Sequence, residues 1–202
     1  MSKVLENAFE EVKKTHILVR DPRNFEITDA FIFWTNFSGT PNKFGNTART
    51  FNVAIPSEAV APLKEMGIRV READALELID PATSETVTGK VYFVNVKVNM
   101  NSDYPPLVKL FSTYRGKKTQ SILSTDEDIT QLDRIDIKTC DMQIHISPTK
   151  MDPNKYTCYL NKLFVVQEEN ILFGGKYDDW MDDDAGEDAL PFPLDNKEDD
   201  NY

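Results

Sequence analysis

The sequence predicts a mainly β domain: an OB-fold-like five-stranded barrel carrying extra hairpins and two or three short helices, with an acidic tail behind it. Three observations predict it. About seven short runs rich in β-branched and aromatic residues recur between residues 16 and 167, punctuated by Pro, Asn, Asp and Gly turns. The helical signals between them are short. Charge is unevenly spread: residues 178–202 hold 11 of the 34 acidic residues and one lysine, a charge of −10, whereas residues 1–177, with 23 acids and 22 bases, carry −1. The domain expectation is therefore 1–177 for the folded, OB-like body and 178–202 for a disordered interaction tail, too charged to fold alone.

The elements follow in order. MSKVLENAFEEVKK is too acidic and polar for a signal peptide. It reads as an amphipathic helix with Val4, Leu5, Ala8, Phe9 and Val12 on one face. His16–Arg20 is a short strand, and 21–24 a turn. Phe31–Phe37 and Arg49–Ile55 form a hairpin whose long, mobile tip contains Gly39, Pro41, Asn42, Gly45 and Asn46. Ser57 is placed to cap a short helix, which Pro62 shortens or kinks and Gly67 stops. Ile68–Arg71 and Ala75–Ile79 are strands, and 80–89 is a turn. Lys90–Met100 is the clearest strand. Tyr92, Val94, Val96, Val98 and Met100 line one apolar face; Val91, Phe93, Asn95, Lys97 and Asn99 line a mixed, half-exposed one. A strand over 105–112, a basic loop over 114–118 and a short helical turn capped by Thr125 come next. Ile135–Ser147 and Tyr156–Gln167 are the last strands. Short strands with long insertions point to a small closed barrel of the oligonucleotide-binding (OB) kind. Strand order cannot be read from the pattern.

Much chemistry is absent. No run of 18 apolar residues exists, so no membrane span is expected. Cys140 and Cys158 lack CxxC spacing and read as buried thiols in a protein that stays inside the cell. His16 and His145 lie in strand-like runs without a zinc spacing. No phosphate-binding Gly-rich loop and no nucleophile motif occurs, and the acid run DDWMDDDAGED lacks the calcium-loop pattern. No catalytic residue, no metal ligand and no cofactor is expected.

What is present is an interleaving of rings and cations. Phe33, Trp34, Phe37 and Phe44 lie near Lys43 and Arg49, Phe93 near Lys97, and Phe111 and Tyr114 near Arg115, Lys117 and Lys118. Rings offer stacking faces to bases, and cations neutralise phosphates. Neither demands a particular base, so the combination predicts single-strand binding with little sequence preference. The candidate contact residues are Trp34, Phe37, Lys43, Phe44, Arg49, Lys97, Tyr114, Arg115, Lys117 and Lys118. The plain alternative is that the rings fill the core, with Phe37 foremost among them. In the tail, Trp180, Leu190, Phe192 and Tyr202 are apolar anchors among acids, suited to basic pockets on partner proteins. A second reading makes the chain a protein-interaction module or DNA mimic acting through that tail. A third, a nuclease with dispersed carboxylates, has the least behind it.

A barrel followed by an acidic tail with an apolar end resembles the single-stranded DNA-binding proteins of replication. Asp188-Ala189-Leu190-Pro191-Phe192 is similar to their acidic Ile-Pro-Phe ending, although here it is internal and the chain ends Asp199-Asp200-Asn201-Tyr202. The body resembles the phage-encoded OB-fold members through Asn36-Phe37-Ser38-Gly39, Asn42, Gly45, Arg49 and Phe51. Tyr159-Leu160-Asn161-Lys162 is similar to a later Tyr-Leu-Lys pattern, with the lysine displaced by one. The resemblance implies a non-enzymatic role in phage replication or recombination in the bacterial host cytoplasm. It also implies single-stranded DNA and, through the tail, replication or recombination proteins as partners.

Overall fold

The computed structural model describes residues 14–79, 86–114 and 117–167, with backbone only at 75–79, 86–88, 114 and 117. Its strands are β1 (His16–Asp21), β2 (Asn24–Ala30), β3 (Ile32–Asn36), β4 (Thr50–Ile55), β5 (Arg71–Ile79), β6 (Thr86–Lys97), β7 (Leu107–Tyr114), β8 (Lys117–Leu123), β9 (Ile137–Pro148) and β10 (Tyr156–Gln167). One α-helix, α1 (Ser57–Glu65), follows β4, and a 3-10 helix spans Asp128–Asp133.

The hydrogen-bonded order runs β2–β9–β10–β6–β4–β3. A single residue, Phe31, joins β2 to β3. The stretch 24–36 is thus one bent strand that pairs with β9 through its first half and with β4 through its second. Four of the five pairings in this order are antiparallel; β10 and β6 are parallel, at Cys158↔Val96 and Tyr159↔Lys97. This mainly β connectivity is consistent with an OB-like barrel. The extra hairpins are β5 on the first half of β6 and β7–β8, which takes over the edge of β10 beyond β6.

Alternation decides what faces inward. Phe25 and Ile27 of β2, Phe51, Val53 and Ile55 of β4, Val94 and Val96 of β6, Met142, Ile144 and Ile146 of β9, and Leu163 and Val165 of β10 form one core. Leu63 of α1 and Ile129 and Leu132 of the 3-10 helix join it. Each such side chain contributes about 1.5–3 kcal/mol on leaving water. Cys140 donates its Sγ–H to the Ala30 carbonyl at 3.2 Å. Burial pushes both thiols up, Cys158 to about 12 and Cys140 further.

Several expectations need adjustment. Ser57 does not cap α1: Pro56 takes that position, and the Ser57 hydroxyl meets Glu58 instead. Gly67 does end the helix, at φ +78; a Cβ there would stand 2.5 Å from the Asn154 carbonyl oxygen. Thr125 accepts the Asp128 amide at 3.0 Å, and the Asp128 carboxylate returns the bond to the Ser124 and Thr125 amides. Hydrogen bonding to the carboxylate, from the Thr125 hydroxyl most and then from the Thr125 and Ser124 amides, holds the Asp128 carboxyl below its ordinary pKa. Residues 24–30 and 117–123 are strands that the sequence pattern did not mark. The expected N-terminal helix and the tail lie outside the described residues. The chain divides into units 1–168 and 169–202. Among the described residues no helix is long and apolar enough to cross a membrane, and no group of three or more His, Cys, Asp or Glu could hold a metal ion.

Candidate nucleic-acid interface

The outer face of β3–β4–β6 is unusual for a surface. Phe33, Ala54, Val91 and Phe93 form a second apolar cluster there, with Phe31 and Ala73 against it. The registers make it one patch. Phe33 lies opposite Asn52 and Asn52 opposite Asn95; one step along, Ala54 lies opposite Phe93 and Phe93 opposite Arg71. Asn95 donates to Asn52 Oδ1 at 3.1 Å, so the polar pair under the rings is satisfied.

Trp34 stands at the margin of this cluster. A bulge between Phe33 and Asn36 puts it off the ladder, with φ +47. That is strained for a bulky residue, at a cost of about 1–3 kcal/mol. Its ring meets Phe33 edge-on at 5.0 Å and Phe93 at 5.7 Å, yet remains 48% exposed. The braced indole is a preorganised platform with surface left to stack on.

The loop from Phe37 to Arg49 is not the loose tip that its composition predicts. The Asn36 amide donates to the Thr40 and Ala48 carbonyls, and its Oδ1 accepts the Thr40 amide at 2.9 Å. The Asn42 Oδ1 accepts the Phe44 and Asn46 amides. Asp133 accepts the Phe37 amide at 3.0 Å and the Ser38 amide at 2.7 Å. Gly39 sits at φ +69, where a Cβ would come 3.0 Å from the Thr47 carbonyl oxygen. The motif residues Asn36, Gly39, Asn42, Gly45 and Arg49 thus build the loop. At its apex Lys43 and Phe44 are exposed, Phe44 to 82%, with the ammonium 5.0 Å from the ring centroid.

The sequence-derived candidates separate accordingly. Trp34, Lys43, Phe44 and Lys97 are exposed; Lys97 lies opposite Thr50, beside the base of the loop. Phe37 must be withdrawn as a stacking residue. It is 1% exposed and stacks on Phe51 at 5.4 Å, because the bulge between Phe33 and Asn36 shifts the alternation and turns it to the face opposite Phe33. Arg49 is not a free cation: its Nε–H donates to the Phe37 carbonyl at 2.9 Å and its Nη1 stands 3.4 Å from Asp126. It ties the loop down. Lys118 is exposed on β8, on a hairpin that pairs with β10 rather than with β4 or β6. Tyr114 and Lys117 are placed by backbone only, at the hairpin's mutually paired ends, and Arg115 lies outside the described residues, as do Trp180, Leu190, Phe192 and Tyr202.

Two contributors escaped the sequence. Asp133 looks like any surface acid until the fold brings it to the loop. Arg71 is exposed and lies opposite Phe93, a pairing that only the register of β5 on β6 reveals. The arrangement as a whole offers braced rings, a rigid loop with a ring and a cation at its apex, and Lys97 and Arg71 on the same sheet.

A family model described as "Putative phage ssDNA-binding domain" matches residues 15–193. No curated protein and no solved structure matches the chain.

Proposed function

The chain belongs to the phage ssDNA-binding domain family, and we propose that it holds single-stranded DNA with little regard to sequence, by stacking bases on Trp34 and Phe44 and by setting phosphates against Lys43, Lys97 and Lys118. The observation that carries this reading is the braced, half-exposed Trp34 at the edge of the Phe33–Phe93 cluster. A base on such a ring contributes about 1–3 kcal/mol, and every base has a face to stack. Tyr114, Arg115 and Lys117 extend the contact along the β7–β8 hairpin. The protein acts without catalysis, in phage replication or recombination inside the bacterial host cytoplasm. Its acidic segment 178–202 recruits replication or recombination proteins through Trp180, Leu190, Phe192 and Tyr202, since apolar anchors among acids fit basic pockets.

The test is a salt titration of binding to oligo-dT and to a duplex of equal length. The expected result is tighter binding to the single strand. The slope of log K against log[salt] should be roughly −2 for three lysines, or roughly −3.5 with Arg115 and Lys117 included, at about 0.7 per neutralised phosphate. Because the chain has only two tryptophans, a Trp180→Phe variant reports on Trp34 alone, and its fluorescence should be quenched by oligo-dT. No binding to oligo-dT at low salt, or equal affinity for duplex, would overturn the reading.

A further inference from the structure

A second feature on the outer face lies beyond the Trp34 cluster. The registers set six residues in one lateral row: Asn36 of β3, Thr50 of β4, Lys97 of β6, Tyr159 of β10, His145 of β9 and Asn24 of β2. At about 4.8 Å per strand the row runs roughly 24 Å along the curved sheet. All six are at least partly exposed. The far half opens into a cleft of about 410 Å³, lined by Asn99, Ser102, Asp103, Tyr104, His145, Tyr159 and Asn161 among others. That is within the ~300–1,000 Å³ of small-molecule sites.

The cleft has two tyrosine rings and one of them is uncommitted. Tyr159 rises from β10 between the buried Cys158 and Leu160. Tyr104 is 92% exposed, which for an aromatic ring in a cleft leaves most of its apolar area without a partner. The turn that leads into it is nonetheless held. Asn99 Oδ1 accepts the Asn101 amide, the Ser102 hydroxyl donates to the Asn99 carbonyl, and the Asn101 side chain donates to Asp126 at 3.0 Å. Pro105 and Pro106 then stiffen the chain behind it. His145 is fixed from the other side by Asn24, at 3.1 Å from Nδ1.

We infer that this cleft is a base-binding subsite: one nucleobase of the single strand lodges against Tyr104 and Tyr159 while its phosphate lies over Lys97, the next residue in the row. The inference rests on the single-strand reading above and adds a path to it, from Trp34 across the sheet to β9. The chemistry of the lining fits a base better than a phosphate. Asp103 repels an anion but accepts the N–H of a base edge, and Asn99 and Asn161 offer both donors and acceptors. Two rings stacked on one base, with amides at its edge, explain why an exposed tyrosine stands on a braced turn.

The experiment compares the wild-type chain with Tyr104→Ala, Tyr104→Phe and Trp34→Ala on oligo-dT, and maps ultraviolet crosslinks of wild type to oligo-dT by mass spectrometry. Tyr104 is so exposed that its truncation leaves the fold intact, and a thermal melt checks this. The expected result is a loss of about 5- to 150-fold for Tyr104→Ala, retention within about twofold for Tyr104→Phe, and a crosslinked peptide containing Tyr104. A wild-type chain that binds, with Tyr104→Ala binding as tightly and crosslinks confined to residues 31–49, overturns the subsite and leaves the single-strand reading standing. A wild-type chain that does not bind overturns both.

Discussion

Replacing Asp133 by alanine tests how the loop is held. The carboxylate accepts two amides from the start of the loop, Phe37 at 3.0 Å and Ser38 at 2.7 Å. The two losses are unequal. The Ser38 bond is exposed, so its amide turns to water at little cost. The Phe37 bond is part-buried, and a buried donor left without an acceptor costs about 1–3 kcal/mol. For a chain of this size about 2 kcal/mol lowers Tm by about 4–8 °C. The loop that carries Lys43 and Phe44 then has to be ordered on binding, so affinity for oligo-dT falls as well. Asp133→Asn keeps one acceptor for the Phe37 amide and should lie between wild type and Asp133→Ala on both readouts. Thermal melts and fluorescence titrations of the three proteins decide it. Wild-type melting and wild-type affinity in Asp133→Ala would refute the idea that the carboxylate fixes the loop.

Further outcomes follow from the same geometry. Phe37→Ala should cost about 3–5 kcal/mol of stability, as for other core phenylalanines, measured by urea unfolding; unaltered stability with lost DNA binding would instead return the ring to the contact surface. Cys140 and Cys158 should react slowly with a thiol reagent at pH 8, because the thiolate is the reactive form and burial pushes both thiols far above that pH; rapid labelling in native buffer would contradict their placement. Deleting residues 178–202 should tighten oligo-dT binding, since a competing polyanion is removed; unchanged affinity would argue against competition between tail and DNA.

How much of this was legible can be argued from particular strands. The inner face of 90–100 follows from alternation alone, with Val94, Val96, Val98 and Met100 buried; on the outer face Asn95, Lys97 and Asn99 reach the surface, but Val91 and Phe93, expected to be half-exposed, are buried in the second apolar cluster. The same holds for Cys140, Met142, Ile144 and Ile146 on β9. The strand of 24–30 was hidden because its outward positions, Glu26, Thr28 and Asp29, dilute the apolar signal, and because Asp29 breaks the alternation at φ +50. The strand 117–123 went unmarked, its first two residues falling in the expected basic loop over 114–118, since β8 offers few apolar residues and lies at an edge. Strand order was out of reach, because pairing between residues 60 apart in sequence leaves no local mark. The site divides in the same way. Lys43 and Phe44 are visible as a cation and a ring on a turn-rich loop. Phe37 and Arg49 looked identical in kind, and only packing shows that one fills the core and the other ties the loop to Asp126. The row that links Lys97 to Tyr159 and His145 exists only once three strands are in register.

The most direct measurement is the affinity of the Trp34→Ala protein for oligo-dT, set beside wild type and Trp34→Phe at one salt concentration. The proposed function makes the braced indole the centre of the contact surface, so the dissociation constant should rise about 5- to 150-fold in the alanine variant and much less in the phenylalanine one. An alanine variant that melts normally and binds oligo-dT as wild type does would show that the single strand lies elsewhere.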